Sequence, residues 1–127
     1  MILKMHQLIE LGPICNRLKT FSLSFKTSYR ITLLMLEVEK HTYFYQESFR
    51  NLLNEYGKKD ESGNVMPTED GKGVLLAEET IQEAYQKLGE LRELDVELPD
   101  YKFNLDAFGD IEISPQEMLV LIPFIEA

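Results

Sequence analysis

The stretch TSYRITLLMLEVEKHTYFYQESFRNLLNEY, residues 27–56, is the most informative part of the chain, because it predicts one helix far longer than the average helix of a globular protein. Apolar side chains recur in it every seven residues, in two series offset by four: Ile31, Val38, Tyr45, Leu52 and Met35, Thr42, Phe49, Tyr56, where Thr42 is the one polar exception. This pattern predicts a helix that packs along one side against a partner helix or another chain. We expect Thr27 or Ser28 to cap its start, and Gly57 to end it in a left-handed conformation.

The segment after this helix supplies a partner for it. Residues 58–73 are polar and rich in turn signals, which predicts a protruding connection or a small hairpin. A second helix is then predicted over about residues 77–93, because apolar side chains recur there at spacings of three and four. The two helices predict an antiparallel α-hairpin over residues 27–94.

Shorter elements flank the predicted hairpin. Residues 1–5 predict a strand, and residues 6–19 predict a helix with a kink or a restart at Pro13. Beyond residue 94 the alternation of Val96 and Leu98 with acids, and of Tyr101, Phe103 and Leu105 with polar residues, predicts strands, as does the stretch 111–113. Ser114-Pro115-Gln116-Glu117 has the pattern of a capped helix start, and the last helix should end near Pro123.

These elements predict a helix-dominant α+β fold. A long antiparallel α-hairpin should pack with a small β-sheet and a short C-terminal helix, and residues 95–127 should form an acidic, strand-rich segment ending in that helix. With 127 residues, of which 44% are hydrophobic, we expect one domain over residues 1–127.

Composition excludes several classes of function. The net charge of −9 disfavours direct binding to nucleic acid, which needs a cationic surface. The single cysteine, Cys15, excludes an intramolecular disulfide and favours a reducing, cytosolic setting. We expect no signal peptide and no membrane span, because the longest apolar runs are far shorter than a bilayer requires.

Motifs for catalysis and metal binding are missing. His6 with Glu10, and His41 with Glu37, have the spacing of ordinary helical contacts rather than of a metal site. Asp60-Glu61-Ser62-Gly63-Asn64 begins like a calcium loop, but valine follows where such a loop needs glycine, so an Asx turn is the better interpretation. Cys15 lies on an apolar helix face, which favours a buried thiol over a nucleophile. We therefore expect no enzyme activity, no metal and no cofactor.

Two features could serve a protein partner. Tyr43 and Phe44 fall off the heptad stripe, so they either pack in the core or form an exposed interface patch. Acids are dense in the last third, at Asp95, Glu97, Asp100, Asp106, Asp110, Glu112 and Glu117. Residues 1–60 carry nine bases and six acids, whereas residues 61–127 carry four bases and sixteen acids. The acidic surface either keeps the protein soluble or occupies a basic groove on another protein.

Several stretches resemble a family of small, uncharacterised proteins from bacteriophages and prophages of Gram-positive bacteria. They are Lys26–Arg30 at the start of the long helix, Glu55–Asn64 after it, Asp95–Pro99, Ile113–Met118 and Ile122–Glu126. The resemblance spans about residues 8–126 and consists mainly of helix starts and turns. It implies a phage context and supplies no catalytic residue.

A small, acidic phage protein without catalytic motifs is expected to act by stoichiometric binding. The leading hypothesis is an inhibitor of a host defence nuclease, of the CRISPR or restriction type, that acts in the host cytoplasm. The partner-binding residues would be Asp95, Glu97, Asp100, Asp106, Asp110 and Glu112, with Tyr43 and Phe44. The alternative is a virion structural or assembly protein that forms homo-oligomers through the helical hairpin.

Overall fold

Helices dominate the structure, a computed structural model that describes residues 1–126. The predicted helix-dominant α+β class is confirmed, with two small two-stranded sheets beside the helices. In chain order the helices and strands are β1 (Ile2–Lys4), α1 (Met5–Leu18), α2 (Phe25–Tyr56), α3 (Ile81–Arg92), β2 (Asp95–Glu97), β3 (Phe103–Asn104), α4 (Pro115–Leu121) and β4 (Ile125–Glu126). Three short 3-10 turns lie at Glu78–Thr80, Leu105–Phe108 and Ile122–Phe124.

Contacts divide the chain into two compact units. The first unit consists of residues 1–42 together with the chain from Asp95 onward, and the second is Tyr43–Leu94. Helix α2 therefore contributes its first part to one unit and its last part to the other. The expectation of one domain over residues 1–127 stays a prediction.

Helix α1 supplies the centre of the first unit. Its side chains Leu8, Leu11, Ile14 and Leu18 are buried at helical spacing. The predicted restart at Pro13 is wrong, because α1 runs through this residue. Pro13 has no N–H to donate to the Ile9 carbonyl, but Pro13 is exposed, so water can bond to that carbonyl instead. The buried residues on both sides of Pro13 keep the helix continuous.

Helix α2 begins two residues earlier than the predicted start at Thr27. The cap is Ser24 rather than Thr27 or Ser28, since the Thr27 backbone N–H donates to Ser24 Oγ over 3.3 Å. The Ser28 N–H donates to the Ser24 carbonyl over 2.9 Å, which closes the first turn. The sequence pattern missed this start because Phe25, the first helical residue, contributes nothing to the buried stripe: its side chain is 94% exposed.

The predicted stripe of α2 is buried only in part. Ile31, Val38 and Tyr56 are buried, together with Leu34, whereas the stripe positions from Thr42 to Leu52 are half-buried. A 12-residue α3 is much shorter than the 32-residue α2, so α3 can cover only a fraction of that length.

The two sheets hold the ends of the first unit together. Strands β1 and β2 are antiparallel and pair Leu3 with Val96, both of which are buried. Strands β3 and β4 are parallel and pair Phe103 with Ile125. The predicted strand through Leu105 is cut short, because this residue starts a 3-10 turn and its side chain is exposed.

The predicted strand at residues 111–113 is wrong. The Ile111 N–H donates back to the Phe108 carbonyl, and the Glu112 carbonyl accepts from Arg17, so the backbone of this segment bonds to a turn and a side chain. Strand β4 pairs with β3 instead, and the sequence did not predict this strand. The predicted start of α4 is confirmed, since Ser114 Oγ accepts from the Glu117 N–H and Glu117 Oε1 accepts from the Ser114 N–H, both over 3.1 Å.

In the second unit a small β-structure follows α2. Three backbone bonds form a closed cycle: the Lys58 N–H donates to the Leu75 carbonyl, the Leu75 N–H to the Met66 carbonyl, and the Met66 N–H to the Lys58 carbonyl. Residues near 58, 66 and 75 thus pair with one another in all three combinations. The sequence predicted only a connection or a single hairpin here. The Asx turn is confirmed, because Asp60 Oδ1 accepts from the N–H groups of Ser62 and Asn64.

Gly57 joins α2 to this β-structure, but not as the predicted left-handed cap. Its φ is not positive, and its N–H donates to the Leu53 carbonyl over 2.8 Å. Space requires the glycine: a Cβ atom at this position would lie 2.4 Å from the Leu53 carbonyl oxygen and 2.8 Å from Val65 Cγ1. The residue is selected by close packing rather than by backbone conformation.

Candidate partner-binding site

The six acidic residues predicted to bind a partner all belong to the first unit, and all are exposed. Three lie at or near β2: Asp95, Glu97 and Asp100. Two of these are paired, since Asp95 Oδ1 is 2.6 Å from Lys4 Nζ and Asp100 Oδ1 is 3.2 Å from the terminal amine of Met1. Part of the negative charge in this group is therefore compensated.

The other three acids, Asp106, Asp110 and Glu112, line one groove with a volume of about 710 Å³. The connection between α1 and α2, residues 21–24, also lines this groove. Gly109 turns the chain between Asp106 and Asp110 with a φ of 58°, a conformation that residues other than glycine rarely adopt. Phe21, Leu23, Phe108 and Ile111 are apolar residues of the same lining, and the three acids are called its acidic rim below.

Arg17 is the one cation that lines this groove, and it already forms an ion pair with Glu117. Its Nη1 lies 2.5 Å from both carboxylate oxygens of Glu117, and Nη2 donates to the Glu112 carbonyl. The guanidinium carbon also lies 5.6 Å from the centre of the Phe21 ring. The arginine, together with bonds from Ser114, lowers the pKa of the Glu117 carboxyl from its ordinary value. Arg17 therefore fixes the wall of the groove without neutralising its rim.

The rim carboxylates have no cationic partner within residues 1–126. None of the ion pairs of the described chain includes Asp106, Asp110 or Glu112. Asp106 also lines a second cavity together with Lys26 and Arg30, so two cations lie near this end of the groove. Carboxylates without ion pairs beside apolar residues are complementary to a surface that brings both positive charge and apolar contact area. The structure thus assembles half of the predicted acidic set into one concave surface and leaves the other half near β2.

Tyr43 and Phe44 are exposed, at 67% and 50% of their surface, so the alternative that they pack in the core is wrong. They belong to the second unit, whereas the acids belong to the first. The same unit contains a small apolar cavity of about 130 Å³, lined by Phe49 and Leu52 of α2, Ala84 and Leu88 of α3, and Leu76. The sequence predicted a partner-binding role for Tyr43 and Phe44 and none for the residues that line this cavity.

One exposed surface, at the start of α2, was not predicted from the sequence. Phe25 and Tyr29, 94% and 62% exposed, lie one turn apart at the start of α2, and the exposed Lys26 and Arg30 form the neighbouring row. The signal was present in the sequence, since no acid occurs between Glu10 and Glu37. It was missed because the long helix was predicted to begin at Thr27 or Ser28, which left Phe25 and Lys26 outside it.

Residues considered for metal binding and nucleophilic catalysis have ordinary environments. His6 Nδ1 is 3.7 Å from Glu10, and His41 Nε2 is 3.5 Å from Glu37, as the i,i+4 spacing predicts. Among residues 1–126 no three His, Cys, Asp or Glu side chains converge as metal ligands would. Cys15 is 4% exposed, and burial, aided by the charge of Glu39, raises the pKa of its thiol to about 11. A thiol in this state is a poor nucleophile at neutral pH.

Within residues 1–126 no helix combines the length and the apolar character needed to cross a bilayer. Comparison with known proteins adds no assignment: no protein-family model, no curated protein and no solved structure matches this chain.

Proposed function

We propose that this protein acts by stoichiometric binding to a protein partner, through its acidic surface, as an inhibitor of a host defence nuclease. The observation that carries the proposal is the groove lined by three carboxylates without an ion pair, at Asp106, Asp110 and Glu112, together with apolar residues. A nuclease binds the phosphate backbone through a cationic surface, and such a surface is complementary to this groove.

The remaining acids extend the same proposal. Asp95, Glu97 and Asp100 are exposed in the same unit and would add to the attraction of a basic partner, although Asp95 and Asp100 already have cationic neighbours. The phage context of the proposal, and with it the host cytoplasm as the place of action, comes from the resemblance described above. In this proposed function the protein needs neither a cofactor nor a metal, because binding alone blocks the partner.

A tagged-protein capture from a phage-infected Gram-positive host tests this proposal. The expected result is a host nuclease or another defence protein that is retained at low salt and lost at high salt, because exposed charges are screened. Capture that survives substitution of lysine for Asp106, Asp110 and Glu112 would exclude the groove as the binding surface. Lysine substitution of Glu61, Glu69 and Glu79, three exposed acids of the second unit, is the matched control for the change in net charge.

A second candidate function is a structural or assembly role in the virion, with homo-oligomers formed through the long α-hairpin of residues 27–94. Exposed apolar side chains on α2, namely Leu36, Tyr43 and Phe44, favour it. Large exposed apolar side chains are enriched where proteins contact one another. This candidate predicts a mass above that of the monomer in solution, and capsid or tail proteins in the capture experiment.

A further inference from the structure

The apolar cavity of the second unit, with a volume of about 130 Å³, has no part in either candidate function. Side chains from three stretches of this unit line it: the last turns of α2, helix α3 and the chain at residues 74–76. The lining residues are Phe49, Leu52, Leu53, Val74, Leu76, Ala84, Tyr85 and Leu88. We propose that this cavity binds one small, uncharged apolar molecule, of the size of a single benzene ring.

The lining offers little to a polar ligand or to water. Seven of its eight side chains are hydrocarbon, and the eighth, Tyr85, is 60% exposed, so its hydroxyl can bond to solvent. The chain at Val74 and Leu76 forms β-bridges with Pro67 and Gly57. Within residues 1–126 no buried side-chain nitrogen or oxygen lacks a hydrogen-bond partner. A water bound in a cavity needs about two to four polar partners, so an apolar ligand competes with weakly held water at most.

One small side chain leaves room for the cavity. Ala84 is the one buried residue of the lining, whereas the other seven are half-buried or, like Tyr85, exposed. Alanine contributes a single methyl group at this point of α3, where leucine or methionine would extend three heavy atoms further. Position 84 is therefore the place at which a substitution can fill the cavity without adding a charge.

The volume limits the ligand. Apolar cavities of about 150 Å³ lined by Leu, Ile and Phe side chains stay dry and bind benzene or xenon. The cavity beside Ala84 is slightly smaller and has a similar lining, so one ring or one xenon atom fills it. Six of the lining residues are half-buried rather than buried, which gives a ligand access from the surface without unfolding of the unit.

Titration of the methyl-labelled wild-type protein with benzene, followed by NMR, tests the proposal. The ring current of bound benzene should shift the methyl resonances of Leu52, Val74 and Leu88, which line the cavity. Methyl groups of Leu8 and Leu11, in the core of the first unit, should not shift. We expect a dissociation constant on the order of 1 mM, within the usual limit of binding free energy per ligand atom. No shift at millimolar benzene, or equal shifts in both units, would overturn the proposal.

Cavity-filling variants locate the site. Ala84→Leu should weaken benzene binding at least tenfold and raise the temperature of unfolding, because the added carbon atoms occupy empty space. Ala84→Met provides a second test, since its unbranched side chain can adapt where the branch of leucine would clash. The matched control is Gly89→Ala on the same helix, where a Cβ atom meets nothing within 4 Å, and this variant should bind benzene like the wild type.

Other occupants would give different results. Unchanged benzene binding in the folded Ala84 variants would place the ligand on another surface and refute this site. Methyl shifts that depend on protein concentration alone, without an effect of benzene, would show that a second copy fills the cavity instead. Every one of these results leaves the proposed inhibitor function untouched, because the acidic groove belongs to the first unit.

Discussion

Replacing Gly57 by alanine should destabilise the second unit strongly, because the new Cβ atom has no room. It would lie 2.4 Å from the Leu53 carbonyl oxygen, 2.8 Å from Val65 Cγ1 and 3.0 Å from Val74 Cγ1. The valine methyl groups can shift, but the Leu53 oxygen belongs to the last turn of α2 and accepts the Gly57 N–H over 2.8 Å. Relief of the overlap must therefore move the backbone, at the upper end of the usual cost of overpacking, about 3 kcal/mol.

Gly89 provides the matched control. It lies within α3, and a Cβ atom there would meet nothing within 4 Å. Alanine at this position should stabilise the helix by about 0.8–1 kcal/mol, the difference between the two residues in helix propensity. Urea unfolding, followed by circular dichroism at 222 nm, measures both free energies of unfolding. A Gly57→Ala variant within about 0.5 kcal/mol of the wild type, far below the usual cost of overpacking, would refute the packing argument.

Three further predictions concern the first unit. Ser114→Ala should lower the free energy of unfolding by about 1 kcal/mol in thermal or urea unfolding, because it removes the cap of α4, and an unchanged value would refute a role for the capping box. Cys15 should react with a thiol reagent only slowly in the native protein and rapidly in urea, since burial raises the pKa of its thiol to about 11, and rapid native labelling would contradict the buried position. Because the folded-state pKa of Glu117 is lowered, its contribution to stability should be complete above the ordinary pKa near 4.5 and should disappear as pH falls through the lower folded value. The stability difference between the wild type and Glu117→Gln should therefore shrink in acid, and a difference independent of pH would contradict the Arg17–Glu117 pair.

Two features that neighbouring residues specify were predicted, whereas one strand pairing between residues distant in sequence was not. The capping box of α4 and the Asx turn at Asp60 are specified by neighbouring residues. The pairing of β4 with β3 joins residues more than twenty positions apart and leaves little local signal. Glycine at position 57 was expected at the end of the helix, yet its reason, the approach of Val65 and Val74, exists only in the folded unit.

The candidate site shows the same limit. Charge density in the last third of the chain indicated an acidic surface, and all six residues are exposed. The sequence could not show that Asp106, Asp110 and Glu112 share a groove, because the lining is completed by residues 21–24, which are distant in sequence. Nor could the sequence show that Arg17 pairs with Glu117, a residue one hundred positions away, rather than with Asp106, Asp110 or Glu112.

The most direct test of the central proposal is the capture of a host partner by the wild type and by D106K/D110K/E112K, measured side by side at low salt. The groove variant should lose the partner, while E61K/E69K/E79K, with the same change in net charge, should retain it. Equal capture by all three proteins would contradict a role for the groove, and loss by both variants would assign the effect to net charge alone.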